Sequence, residues 1–378
     1  MYPNNPQRTT WLLFISVFLF ACSTYIYSYT VPQFLLEIGL TSVESDHIES
    51  IELLGYIIAG LILVPIINRI HRNKTMIMCL SLMIICTLNI MILEGYEVLK
   101  INFIIMSAAY YAYLITLIIK VLEVMHNSRY LAMFLFSICW ILGHFVAHYI
   151  KDLFISAEDS LLMCILLYVI TVITCLPKEV KLKYTPSAPS FSFLVSNIEL
   201  QVLTGFMVSY VTFEILWYYE DFAIQQGLTL SKMEVIIHYM LMSIFFAAAP
   251  AVLILKRMNK YLVNLIAIIV LLITFYLLGF YGRSFPSATS FLCIISISLS
   301  LICICNILIL SDKFESQDFR TAITIYCTMC AIGMFAGALS TDSASKEDHD
   351  FLFSTFAVVG TFVIYYLWYF MKRKLYKW

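Results

Sequence analysis

The stretch Phe34-Leu35-Leu36-Glu37-Ile38-Gly39-Leu40-Thr41 returns 188 residues later as Phe222-Ala223-Ile224-Gln225-Gln226-Gly227-Leu228-Thr229. The phenylalanine, glycine, leucine and threonine are kept. Each copy ends one hydrophobic segment and precedes a second that runs to a basic loop, at Arg69 in the first copy and Arg257 in the second. Arg129 and Arg320, 191 residues apart, each open a further hydrophobic run. Two distant places with nearly the same offset point to a duplication at half the chain length. A duplication of that size in a very apolar chain implies two related halves immersed in lipid.

Composition agrees. Hydrophobic residues are 62% of the 378 and charged residues 12%, against about 45–50% and about 25% in soluble domains. A soluble fold cannot hide that much apolar surface, so lipid is the solvent for most of the chain. The net charge of −1 says little about partners, because the charges are sorted by side of the membrane. Nucleic-acid binding would need a basic face, and none is visible in the sequence. Most of the eleven cysteines lie inside apolar runs, where they read as small packing residues without disulfide spacing. Arg8 followed by Trp11–Cys22 has the look of a signal peptide. The apolar run continues through Tyr25–Tyr29, which is long enough to span, so it reads as an uncleaved first helix.

Apolar runs of spanning length predict twelve helices, near 11–30, 50–68, 75–94, 101–124, 130–150, 160–176, 199–219, 232–255, 261–281, 288–311, 321–341 and 351–371. With the N-terminus in the cytoplasm, eighteen of the 23 lysines and arginines fall on the cytoplasmic side. Acidic residues do the reverse. The expected fold class is an all-α integral membrane protein with twelve transmembrane helices in two pseudo-symmetric six-helix bundles. Residues 1–176 form the first bundle, 177–198 a cytoplasmic linker and 199–378 the second bundle. Both termini are then cytoplasmic, in a multi-pass protein of the plasma (inner) membrane.

The loop after helix 2 reads Asn68-Arg69-Ile70-His71-Arg72-Asn73-Lys74, and the loop after helix 8 reads Lys256-Arg257-Met258-Asn259-Lys260. Both resemble the helix 2–3 loop motif of the major facilitator superfamily and its repeat. That motif has an acid before the arginine and a glycine before the basic pair. Here Asn68 replaces the acid, His71 the glycine, and Val64 an earlier glycine. Pro32-x-Phe34-x4-Gly39-Leu40 is similar to the proton-coupled sugar and nucleoside branch. The resemblance implies a gating charge network at Asn68, Arg69, Arg72, Lys256 and Arg257, of which Arg69 and Arg257 carry over most directly. The same arginines also read as ordinary positive-inside anchors.

Ionisable groups inside spans are costly, about 2.5–3.5 kcal/mol or more at a helix centre, so each is a functional candidate. Glu214, flanked by Phe213, Ile215, Leu216 and Trp217, is the first. It reads as a proton-coupling or substrate-contacting acid, or as a carboxylate that reaches water or a neighbouring helix. His144 and His148 share one face of helix 5. They suit a proton relay, a hydrogen bond to a polar substrate, or interhelical bonding. No third ligand completes a metal site. Tyr25, Tyr27 and Tyr29 in helix 1 and Tyr110, Tyr111 and Tyr113 in helix 4 are placed to line a cavity or anchor an interface. Glu52 is expected at the wetted end of helix 2, and Lys120 is expected to pair with Glu123 or to snorkel. Asn89 and Asn306 read as interhelical hydrogen-bonding groups.

These features imply a secondary transporter for a small solute, with protons as the economical coupling ion, functional as a monomer in lipid and needing no cofactor. No phosphate-cradling Gly-x4-Gly-Lys occurs. The competing reading is a membrane-embedded enzyme acting on lipid or glycan, against which the short loops argue.

Overall fold

A computed structural model describes residues 6–175, 198–212, 230–343 and 350–375, apart from positions 68, 94, 152, 155, 283 and 315. The described residues are helices and short connections without strands. In chain order the helices are α1 (Pro6–Glu37), α2 (Ser42–Ile66), α3 (Arg72–Ile92), α4 (Tyr96–Val124), α5 (Arg129–Lys151) and α6 (Ala157–Cys175). There follow α7 (Ile198–Thr212 in its described part), α8 (230–255), α9 (Lys260–Tyr281), α10 (Phe285–Lys313), α11 (Ser316–Ser343) and α12 (Asp350–Leu375). Each of the twelve expected spans falls on one of them. Among the described residues nine helices are long and apolar enough to cross a membrane. Three shorter apolar stretches lie in α2, α7 and α12.

The repeated octapeptide is a helix-stop and helix-start device. The last turn of α1 closes with Ile38 N–H on Phe34 O at 3.0 Å and Leu40 N–H on Leu35 O at 3.1 Å. Gly39 sits between them at φ +93°, a left-handed value that a side chain resists. Thr41 then caps α2. Its Oγ1 accepts from Glu44 N–H at 3.3 Å, and Glu44 Oε2 accepts from Thr41 N–H at 2.9 Å, a reciprocal capping box. The second copy, Phe222–Thr229, lies outside the described residues.

The chain divides into two units, Met1–Ala188 and Pro189–Trp378. Inside the first, α1 packs on α5 and α6, α2 on α4, and α3 on α4 and α6. Inside the second, α8 packs on α10, and α9 on α10 and α12. The second set repeats the first six helices later. The match extends to single residues. A Cβ on Gly143 of α5 would stand 2.6 Å from the Phe18 carbonyl oxygen of α1. One on Gly333 of α11 would strike the Phe206 carbonyl of α7. Both pairs keep the repeat offset, and both crossings bring backbones together as small-residue contacts in membranes do. Where Gly55 of α2 leans on the Ile104 carbonyl of α4, Ser243 of α8 donates to the Cys293 carbonyl of α10 at 3.4 Å.

Apolar side chains fill each unit and also coat its outside. In the second unit Val208, Ile268, Phe275, Leu292 and Tyr366 form the buried core. Leu61, Ile92, Phe280 and Ile364 are between 59% and 74% exposed, a surface that only lipid tolerates. Buried cysteines bond between helices, Cys22 to the Gly143 carbonyl at 3.2 Å and Cys164 to the Ser23 carbonyl at 3.5 Å. One helix is irregular. α8 widens into a π turn at Ile244–Ala248, just before Pro250, whose missing N–H and bulky ring disrupt the α-helical ladder there.

Candidate functional site

Three polar arrangements stand out in this apolar framework. The first is a pair of matching ion pairs at helix ends. Arg72, the first residue of α3, places Nε 2.8 Å from Glu123 Oε2 in the last turn of α4, and its Nη2 donates to Oε1 at 3.1 Å. Both side chains are almost enclosed, at 8% and 12% exposed. In the second unit Lys260, first residue of α9, places Nζ 2.9 Å from Asp312 Oδ2 near the end of α10. Lys260 follows Arg72 by 188 residues and Asp312 follows Glu123 by 189. The basic partner in each copy is therefore the residue that opens the third helix. Arg69, Lys256 and Arg257 are exposed. Asn68 lies outside the described residues. Glu123, expected to pair with Lys120 unless that lysine snorkels, also meets Arg72, because α3 and α4 run side by side at this end. Lys120 is itself buried.

The second arrangement is a cavity of about 80 Å³ inside the first unit. Tyr27, Tyr56, Tyr110 and Tyr168 line it around Glu52. Hydroxyls of Thr24, Ser28 and Ser107 complete its polar wall. Four helices contribute, α1, α2, α4 and α6. Tyr56 is held by ring stacking on Tyr111 at 5.0 Å and by Tyr110 at 5.7 Å. Tyr110 in turn stacks on Phe20 at 5.3 Å. The buried Tyr27 hydroxyl has no hydrogen-bond partner among the described residues. Glu52 was expected in water at a helix end. It is half-buried among tyrosines, because α2 begins at Ser42 and so carries Glu52 two to three turns into the helix.

The sequence held a signal for this site. Thr24, Tyr27 and Ser28 fall on one face of α1, Glu52 and Tyr56 on one face of α2, and Ser107 and Tyr110 on one face of α4. Each set has spacing of three or four in an otherwise apolar helix.

The third arrangement joins α1 to α5. The Tyr25 hydroxyl and His148 Nδ1 share a hydrogen bond of 2.8 Å. The Tyr25 ring stands edge-on to His144 at 5.6 Å. His144 Nδ1 lies 3.0 Å from the Trp140 carbonyl. That nitrogen must carry the proton to donate there, which leaves Nε2 as the basic position. Tyr25, His144 and His148 are thus one cluster, apart from the Glu52 cavity. Tyr113 belongs to neither. It is fully buried and bonded to Ser16 at 2.6 Å. Lys151 sits over the ring of Tyr29, 3.6 Å from its centroid. Glu214 lies outside the described residues. Among those described, no group of three His, Cys, Asp or Glu converges as a metal site.

Buried amides hold the helices around these sites. Asn89 donates to Asn102 at 3.3 Å between α3 and α4. In the second unit Asn264 donates to Asn306 at 2.7 Å, and Asn306 to Thr204 at 2.8 Å, linking α9, α10 and α7.

Twelve apolar helices in two internally matching units, with polar cavities and clusters inside, define a multi-pass integral membrane protein built as transporters are. The chain belongs to the Major Facilitator Superfamily, whose model matches residues 13–338. An uncharacterized protein of Rickettsia prowazekii (strain Madrid E) is 37% identical over 377 residues, covering 99% of both chains. The fold is similar to that of FucP in its outward conformation, with a TM-score of 0.74 at 16% identity, covering 94% of this chain and 98% of that one. It is also similar to the proton:xylose symporter XylE, with a TM-score of 0.73 at 12% identity over 97% and 95% of the two chains.

Proposed function

We propose that this protein is a proton-coupled secondary transporter that carries a small polar solute across the plasma membrane by alternating access. The observation that carries the reading is the duplicated unit. Each half holds the same helix crossing and the same ion pair, as expected of two bodies that move as wholes rather than deforming inside. Family membership supports transport. Similarity to proteins named as fucose:proton and proton:xylose symporters supports proton coupling.

In this reading residues 1–176 and 199–378 are the two moving bundles, joined by the linker 177–198. The excess of basic residues in alternate loops sets both termini in the cytoplasm. The Arg72–Glu123 and Lys260–Asp312 pairs stiffen the cytoplasmic ends of their bundles. Arg69, Lys256 and Arg257, exposed beside them, face water or lipid headgroups. Glu214 is the acid that binds and releases the proton. Tyr25, His148 and His144 form a relay in which a proton moves between hydroxyl and imidazole groups. Tyr110 contributes to the polar wall that meets the solute, and Tyr113 holds the wall from behind.

The test is counterflow of radiolabelled sugars, nucleosides, amino acids, amines and peptides in proteoliposomes, followed by uptake driven by a pH gradient. Exchange of one solute class is expected. Glu214→Gln should abolish uphill uptake and spare exchange. No solute exchange, combined with product formation from a lipid or glycan substrate, refutes the reading in favour of an enzyme.

A further inference from the structure

We infer that the cavity bounded by α1, α2, α4 and α6 binds a polyhydroxyl group, so that the solute, or one end of it, carries adjacent hydroxyls. This deepens the transporter reading and rests on it for its physiological meaning, while the site itself lies inside the first unit alone.

Glu52 does not choose the ligand, because it is already engaged within the protein. Recognition falls to the hydroxyls around it, and their bonding states differ. Thr24 Oγ1 donates to the Phe20 carbonyl at 2.8 Å, and Ser107 Oγ donates to the Phe103 carbonyl at 2.8 Å. A hydroxyl has one proton and two lone pairs, so both present lone pairs alone to the cavity they line. The Tyr27 hydroxyl is different. It is buried and has no hydrogen-bond partner among the described residues, so it can both donate and accept. A buried hydroxyl left unmet is unfavourable, and this one calls for a partner inside the cavity.

The wall therefore requires an acceptor for the Tyr27 proton together with donors for Thr24 and Ser107. A group with donors only, such as an ammonium, leaves the Tyr27 proton unmet. A group with acceptors only, such as an ether, sets its lone pairs against those of Thr24 and Ser107. A hydroxyl does both. Two on adjacent carbons serve Thr24 and Tyr27 together, which stand three residues apart on α1, a rise of about 4.5 Å. Size agrees. One water needs about 10–15 Å³, so a cavity of about 80 Å³ holds roughly half a dozen atoms of that size, which is a three-carbon polyol. The rings of Tyr56 and Tyr110 and the side chain of Met106 line the same space and give the carbon skeleton an apolar surface.

The experiment uses the full-length protein in lipid nanodiscs and reads binding of glycerol and erythritol by saturation-transfer difference NMR. Empty nanodiscs give the blank. 1,2-Dimethoxyethane is the acceptor-only probe and propylammonium the donor-only probe. Both polyols are expected to bind at least several-fold more tightly than either control. Tyr27→Phe removes a hydroxyl that bonds to no described residue, so it keeps the fold and should weaken polyol binding several-fold. Thr24→Val, which keeps the side-chain shape, should do the same. Ether or ammonium binding as tight as that of the polyols, or polyol affinity unchanged in both variants, overturns the inference. So does the absence of polyol binding, the result if the cavity holds water alone. Proteoliposome exchange separates this inference from the transporter reading. Exchange of a solute without hydroxyls, undiminished by glycerol and erythritol, overturns the inference and leaves the transporter standing. No exchange of any solute refutes the transporter reading, and polyol binding is still decided by the NMR result.

Discussion

Gly143 and Phe18 approach so closely that any side chain at 143 would stand 2.6 Å from the Phe18 carbonyl oxygen. The same relationship holds between Gly333 and Phe206 in the other unit. Two helix crossings, 188 to 190 residues apart in sequence, are therefore built on the same missing side chain. Gly143→Ala should destabilise the protein by about 1–3 kcal/mol, the usual range for overpacking, and Gly333→Ala by a similar amount. Unfolding in mixed micelles checks both, and a neutral result at either position would argue against the equivalence of the crossings.

The two ion pairs should differ in strength despite their shared position. Arg72–Glu123 is nearly enclosed, and removing one partner of a buried pair loses about 3–5 kcal/mol. Lys260–Asp312 is more open, at 19% and 38% exposed, where such pairs contribute about 0–1 kcal/mol. Double-mutant cycles on the two pairs should give a clearly larger coupling for Arg72 and Glu123. Added salt should weaken the Lys260–Asp312 coupling more, because its charges see solvent.

Asn306 is central to the amide chain of the second unit, bonded to Asn264 and Thr204 with no exposed surface. Asn306→Ala leaves both partners buried in apolar surroundings. A loss of about 0.6–2 kcal/mol is expected, the range for interhelical hydrogen bonds in membranes. The corresponding change at Asn89, at a longer and less enclosed bond, should have a smaller effect in the same assay.

Glu44 provides a pH test outside the spans. Hydrogen bonds from the Thr41 backbone and side chain hold its carboxyl below the usual 4.5. A carboxylate whose folded pKa is lowered stabilises the fold above its unfolded pKa and loses that contribution as pH falls through the lowered value. Glu44→Gln should therefore reduce the thermal midpoint at pH 7, and the difference from wild type should shrink as the medium is acidified below about pH 4.5. A difference independent of pH would place the effect outside the capping box.

Tyr25→Phe removes the hydroxyl bonded to His148 while leaving the ring against His144. Under the proposed relay, pH-driven uptake should fall several-fold with exchange retained, since an interrupted proton path slows coupling and not solute passage. Equal loss of both activities would assign Tyr25 to solute passage or to stability.

Much of this protein was legible along the chain. A spanning helix needs about 20 apolar residues, so bilayer thickness writes itself into sequence as run length, and twelve runs became twelve helices. Gly39 and Thr41 were legible as repeated positions between two apolar runs. The structure makes them a helix stop and start because only glycine is at ease in left-handed backbone and a threonine oxygen satisfies a free N–H. The duplication was visible as a constant offset.

Which polar side chain meets which was decided only by tertiary structure. Arg69 and Arg72 belong to the same loop motif, yet the helix pairing encloses Arg72 against Glu123 and leaves Arg69 exposed. Tyr110 and Tyr113 are three residues apart, and one lines a cavity while the other is bonded to Ser16. Glu52 lies far along the chain from Tyr27, Tyr110 and Tyr168, and four helices had to pack before they shared a wall. Run length and capping depend on neighbours within a few residues, so they are written locally. Side-chain partnership depends on the rotation and crossing of whole helices, which packing sets.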